Sequence, residues 1–238
     1  MRLIIDIVLL VIIALCTWNG YKKGLIGGII SLFIIMVALL GGTILSRAYS
    51  GEVIPAVKPF VAGYIDSQKS RDRILDAMGY GESDYSLEDI LANDSSLRYD
   101  YAYECMLDIG FYEKTSERLA EDTVRWSEEN EKDMTSSVVE VMCETMTYVL
   151  GLTVAFLMIL IILVAVGNLF NLSMRLPNME NLDEIGGTVL GFLKGFFYCV
   201  LLCWFLGFLG TVLGKSTLYH TTLARFFMAF EFITNGLL

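Results

Sequence analysis

Two stretches of this chain, Leu25–Leu45 and Met146–Phe170, contain no charged residue at all. A helix needs roughly 20 mainly apolar residues to cross the ~30 Å hydrocarbon core of a bilayer, and both stretches meet that length. Two more come close. Leu3–Trp18 is apolar except for Asp6, and Gly187–Leu209 carries the single charge Lys194. Only Asn19-Gly20-Tyr21-Lys22-Lys23-Gly24 separates the first two, a turn-rich positive hexapeptide that predicts a tight helical hairpin. Residues 171–186 join the last two through Pro177 and the acids Glu180, Asp183 and Glu184, so a second hairpin is expected.

The charges are segregated. Residues 46–145 hold 10 of the 17 basic and 22 of the 27 acidic side chains, a net charge of −12 for that segment. A soluble enzyme is thereby excluded as the default reading, and an acidic, water-facing segment set between membrane helices takes its place. A pI near 4.6 also argues against nucleic acid, since little here could neutralise phosphates. A cleaved signal peptide is not expected, because no A-x-A-like site follows the first apolar run.

Orientation follows the placement of Lys and Arg near short loops rather than net charge. Lys22, Lys23, Arg175 and a snorkelling Lys194 lie on the hairpin-turn side, against Arg2, Arg47, Lys215 and Arg225 on the other. The short turns with tightly placed basic residues favour cytoplasmic turns, with both termini and the acidic segment outside.

Gly20, Gly24 and Gly28 recur at four-residue spacing where the second span begins; Gly187, Gly191 and Gly195 do the same at the fourth. Each set leaves a small-residue stripe on one helix face, which permits close backbone approach where lipid supplies no hydrophobic drive. Ordinary helix packing explains them; two repeats flanking a transport path are the alternative.

An N-terminal apolar helix with Asp6, then Gly20-Tyr-Lys-Lys-Gly24-Leu25, then an uncharged helix resembles the start of the colicin V production (CvpA) family. Ile185-Gly-Gly-Thr-Val-Leu-Gly-Phe-Leu-Lys-Gly195, preceded by Pro177, is similar to that family's second marker. The likeness covers about residues 1–48 and 146–212, and the long acidic segment departs from it. The resemblance implies a bacterial inner-membrane protein needed to make or export a peptide toxin, with no catalytic residues in its membrane part.

Within the acidic segment, Pro55 and Pro59 predict that residues 52–65 do not form a regular helix. Ser67–Tyr80 and Ser86–Leu91 read as short helices, the second opening on a capping-box-like Ser86-Leu-Glu-Asp89. Residues 96–112 are rich in Tyr, and Lys114–Cys143, free of Pro and Gly, reads as one helix entering the third span. The scattered acids suit a solvated face and match no EF-hand loop.

His220 is the only histidine, which removes His-based zinc motifs and gives no catalytic triad. It sits in an apolar, Phe-rich stretch, Ser216–Ile233, expected to form an interfacial helix. Residues 210–216 have three residues between their glycines where a Walker A loop needs four. Cys16, Cys199 and Cys203 read as small hydrophobes in spans, whereas Cys105 and Cys143 could pair if their segment faces an oxidising compartment. Asp6 and Lys194 are charges within spans, read first as snorkelling residues and second as the lining of a polar path.

The expected fold is an all-α integral membrane protein with four transmembrane helices in two hairpins, an acidic helical insertion and an interfacial C-terminal helix. Its parts are residues 1–48, the first hairpin; 49–145, the acidic segment; 146–212, the second hairpin; and 213–238, the C-terminal helix. No cofactor, metal or catalytic site is expected. The expected function is non-enzymatic: support of toxin production, export or envelope upkeep through contacts with itself or a membrane protein partner such as an export or protease component. A small transporter or channel is the alternative.

Overall fold

The computed structural model describes residues 2–81, 87, 90–91, 94, 96–169, 180–208 and 221–228. They form helices α1 (Arg2–Ile65), α2 (Gln68–Ala77), α3 (Leu97–Ile109), α4 (Glu113–Asn130), α5 (Met134–Leu169), α6 (Glu180–Leu206) and α7 (Thr222–Met228). No strand occurs among the described residues. Three helices are long and apolar enough to cross a membrane: α1 over Ile4–Ile65, α5 over Met134–Asn168 and α6 over Glu180–Leu206.

The chain divides into two compact units. The first combines Met1–Ala48 and Leu150–Leu206 with α7, which lies within its third piece, Ser216–Leu238. Its outer surface carries large exposed apolar side chains, among them Ile29, Phe33, Ile44, Val154 and Ile161. In water such a surface would mark an interaction site, whereas in a bilayer it meets lipid at no cost. The second unit is Tyr49–Val149 with Gly207–Lys215, of which Gly207 and Phe208 are described. Its core is built where α3 and α4 pack together, from Tyr101, Cys105 and Met106 on α3 and Leu119 and Ala120 on α4, with Val138 and Met142 of α5 also buried. Gly110 ends α3 in the left-handed conformation (φ 106°) that glycine adopts without strain. Asp108, near the end of α3, accepts hydrogen bonds from the buried Ser70 hydroxyl at 2.7 Å and from Arg73 at 2.8 Å, fastening α2 to it.

Three local expectations are corrected. The hexapeptide at 19–24 is not a loop: helix continues through Lys23, and the break is confined to Gly24 (φ 72°, ψ −177°). Pro55 and Pro59 lie inside α1. They are four residues apart, so their missing amides fall on one face, and the carbonyls they free, on Gly51 and Pro55, belong to exposed residues that keep access to solvent. Lys114–Cys143 is two helices, because Glu131 takes a left-handed conformation (φ 51°) and Asp133 caps a new start by accepting the Ser136 amide at 2.9 Å. Of the C-terminal helix, the described portion is α7; His220 and residues 210–216 lie outside the described residues, as does most of Ser86–Leu91.

The Ser136 amide holds the Asp133 carboxyl below the usual carboxylate range. A depressed folded-state pKa contributes stability above the unfolded value near 3.9 and loses it as pH falls through the folded value. Asp133→Ala is therefore expected to cost about 1 kcal/mol at pH 7 and nothing once the pH lies below both values. Thermal unfolding of both chains at a series of pH values from 7 down to 2, with the difference between them shrinking as the pH falls, checks this.

Cys105 and Cys143 are both free and buried. Burial pushes the Cys105 thiol up to about 12. It should react with a maleimide about three orders of magnitude more slowly than an exposed thiol, and normally after denaturation. Mass spectrometry of labelled native and denatured protein checks this.

Candidate functional site

The site is built from the two sets of glycines. Residues four apart on a helix lie on nearly the same face, so Gly187, Gly191 and Gly195 on α6 present a strip without side chains, which packs on Gly20 and on the backbone of the two turns before it. A Cβ on Gly20 would stand 2.6 Å from the Gly191 Cα, and one on Gly191 would stand 2.5 Å from the Cys16 carbonyl oxygen. A Cβ on Gly195 would lie 3.0 Å from the Ile13 Cα, and one on Gly187 would lie 2.7 Å from the Gly24 carbonyl carbon. Along this seam, numbers on α6 rise as those on α1 fall. Past Gly24 they rise together: Gly186 faces Leu25, and Gly28 faces Leu190.

Gly24 is the pivot. Its φ of 72° is left-handed, and the space where a Cβ would sit is filled by the Asp183 carboxyl, whose Cγ lies 2.7 Å from that position. Asp183 is 3% exposed, and its Oδ1 accepts the Leu25 amide at 2.8 Å. That amide is one of the unpaired donors at the start of a helical segment, where a carboxylate also meets the positive end of the helix dipole. Sequence reasoning named Asp183 only as one of three acids in a loop. A signal for it existed: Gly20–Gly24 offers no Ser, Thr, Asp or Asn to cap the helix that follows, so the acceptor has to come from elsewhere in the chain.

The charged residues fall at different places. Lys22 Nζ lies 5.4 Å from the centre of the Trp18 ring, and Lys194 Nζ lies 5.5 Å from that of Tyr198. Lys23 and Lys194 instead share a small cavity of about 130 Å³ with Asn19, Ser31 and Asn168. Asp6 accepts the Leu223 amide at 3.0 Å and so ties the first turn of α7 to the beginning of α1. Among the described residues, no group of His, Cys, Asp or Glu side chains is placed to hold a metal ion.

No curated protein and no solved structure matches the chain. A family model described as Colicin V production protein does, over residues 111–231. The matched region holds α4, α5, α6 and α7, and with them the Gly187, Gly191 and Gly195 stripe, Asp183 and Lys194. The Gly20–Leu25 segment precedes it. With just over half its length matched by that model, this chain belongs to the colicin V production protein family.

Proposed function

We propose that this protein is a multi-pass protein of a bacterial inner membrane that supports toxin production or export, or envelope upkeep, without catalysing a reaction. Family membership is the observation that carries the reading. The contacts of α6 with both parts of α1 support four spans in two hairpins, with the first turn at Gly24. Lys22 and Lys23 beside that turn support cytoplasmic turns, and with them an acidic unit and termini on the outer side. Gly187, Gly191 and Gly195 are covered by α1 within one chain, so contacts with a second copy or a partner from an export or protease machine fall to other surfaces, the lipid-facing helices or the acidic unit.

The test is complementation. In a bacterium that releases a colicin V-type peptide and has lost its own member of the family, supplying this chain should restore release, and the Gly191→Leu variant should not. Release that is unaffected by the loss, or unrestored by a chain that inserts and folds, contradicts the reading.

A further inference from the structure

The cavity that holds Lys23 and Lys194 has two features that the glycine seam does not explain. Its polar walls, Asn19, Lys23, Ser31, Asn168 and Lys194, bring two cations and no carboxylate. Neither lysine has an ion pair among the described residues. Two half-buried like charges between membrane helices repel each other in a medium that screens poorly, and an anion relieves that repulsion. The cavity also lies beside the break at Gly24, which the proposed hairpin turn puts towards the lipid headgroups.

A second cavity, of about 410 Å³, lies in the same unit and shares no lining residue with the first. Its walls are apolar, drawn from Ile12, Leu39, Phe156, Leu160, Leu202 and Phe205 among others, with Tyr198 also lining it. Every segment that lines the first cavity lines the second farther along: Asn19 gives way to Ile12, Ser31 to Leu39, Asn168 to Leu160 and Phe156, and Lys194 to Tyr198 and Phe205. From Ser31 to Leu39 and from Lys194 to Phe205 the helix rises about 12 and 16 Å. The pair therefore offers a cationic, hydrogen-bonding pocket at headgroup level and an apolar one at acyl-chain depth, on the same four segments.

We infer that the two cavities together bind one anionic glycerophospholipid, its phosphate held by Lys23 and Lys194 and an acyl chain laid between α5 and α6. Basic pockets between membrane helices are where such headgroups are held. Ser31 and the two asparagines supply further donors to the phosphate oxygens. A choline headgroup brings a cation of its own, which the lysines oppose.

Native mass spectrometry of the full chain in mild detergent tests this, with phosphatidylglycerol, phosphatidylcholine of the same acyl chains, and inorganic phosphate as probes. One phosphatidylglycerol should be retained in preference to phosphatidylcholine. Lys23→Gln and Lys194→Gln should each weaken its retention roughly fivefold, and together about twenty-five-fold, whereas Lys22→Gln, whose ammonium lies over Trp18, should not. Lys23→Arg should retain the lipid. Equal retention of both lipids by the unmodified chain overturns the proposal without recourse to any variant. Undiminished retention in the double variant overturns it too. Displacement of the lipid by inorganic phosphate at matched concentration shows a free-anion site and overturns the lipid assignment.

Discussion

Gly191→Leu is expected to unseat the first part of α1 from α6 and to lower the melting temperature of the protein in detergent by roughly 6–12 °C. The reason is that backbone, not side chain, occupies the space. A Cβ at this position would meet the Cys16 carbonyl at 2.5 Å, the Gly20 Cα at 2.9 Å and the Thr17 Cα at 3.1 Å. Side chains relieve such crowding by changing rotamer, but a helix backbone does so only by moving as a whole. Overpacking costs typically 1–3 kcal/mol, and this case belongs at or above the top of that range, which for a chain of this size gives the stated shift. Gly51→Leu is the matched control: nothing lies within 4 Å of a Cβ there, and its melting temperature should stay within about 2 °C of the unmodified chain. Similar melting of the two variants would show that the seam does not hold the unit together.

Gly24→Ala is the second large effect, and it has two separable causes. The backbone at φ 72°, ψ −177° is essentially reserved for glycine and costs an L-residue on the order of 1–3 kcal/mol, and the new methyl also collides with the Asp183 carboxyl. Asp183→Ala alone removes the cap on Leu25, worth about 1 kcal/mol. In the double variant the collision disappears while the backbone cost and the lost cap remain. Its destabilisation should therefore be smaller than the sum of the single ones by on the order of 1 kcal/mol, the coupling expected of residues in contact. Thermal or denaturant unfolding of the four chains closes the cycle; strict additivity would mean that the carboxyl does not fill the space beside Gly24.

Apolar runs and glycine spacing are periodic, local signals, and the main helices are readable from them; Gly20, Gly24 and Gly28 are evenly spaced but share no single helix face, because the helix breaks at Gly24 and Gly28 meets the Leu190 side chain. Pairing is not local. Nothing in Gly20-Tyr-Lys-Lys-Gly24 states that its smooth face meets Gly187 and Gly191 of the same chain rather than a second copy. Likewise Asp183 looks like a solvated loop acid until Leu25, 158 positions away, is found beside it. The break at Glu131–Asp133 escaped because good helix formers surround it and a charged residue takes the left-handed conformation that glycine would advertise. The prolines at 55 and 59 misled in the opposite sense: their cost depends on whether the freed carbonyls stay exposed, which propensity does not report. For Lys23 and Lys194 the sequence shows two cations 171 positions apart, and that they line one cavity is seen only in the structure.

A reversal of the chain at Gly24 is the claim on which the proposed four spans and the proposed lipid site depend, and one distance measures it. Ile12 and Leu39 line the same cavity. Spin labels placed at these two positions, in a chain whose five native cysteines are replaced by alanine, can be read by pulsed electron paramagnetic resonance. Neighbouring packed helices with axes 8–10 Å apart predict a label separation below about 20 Å. A single unbroken helix through residue 24 would hold the two positions about 40 Å apart, and a distance near that value would contradict the account.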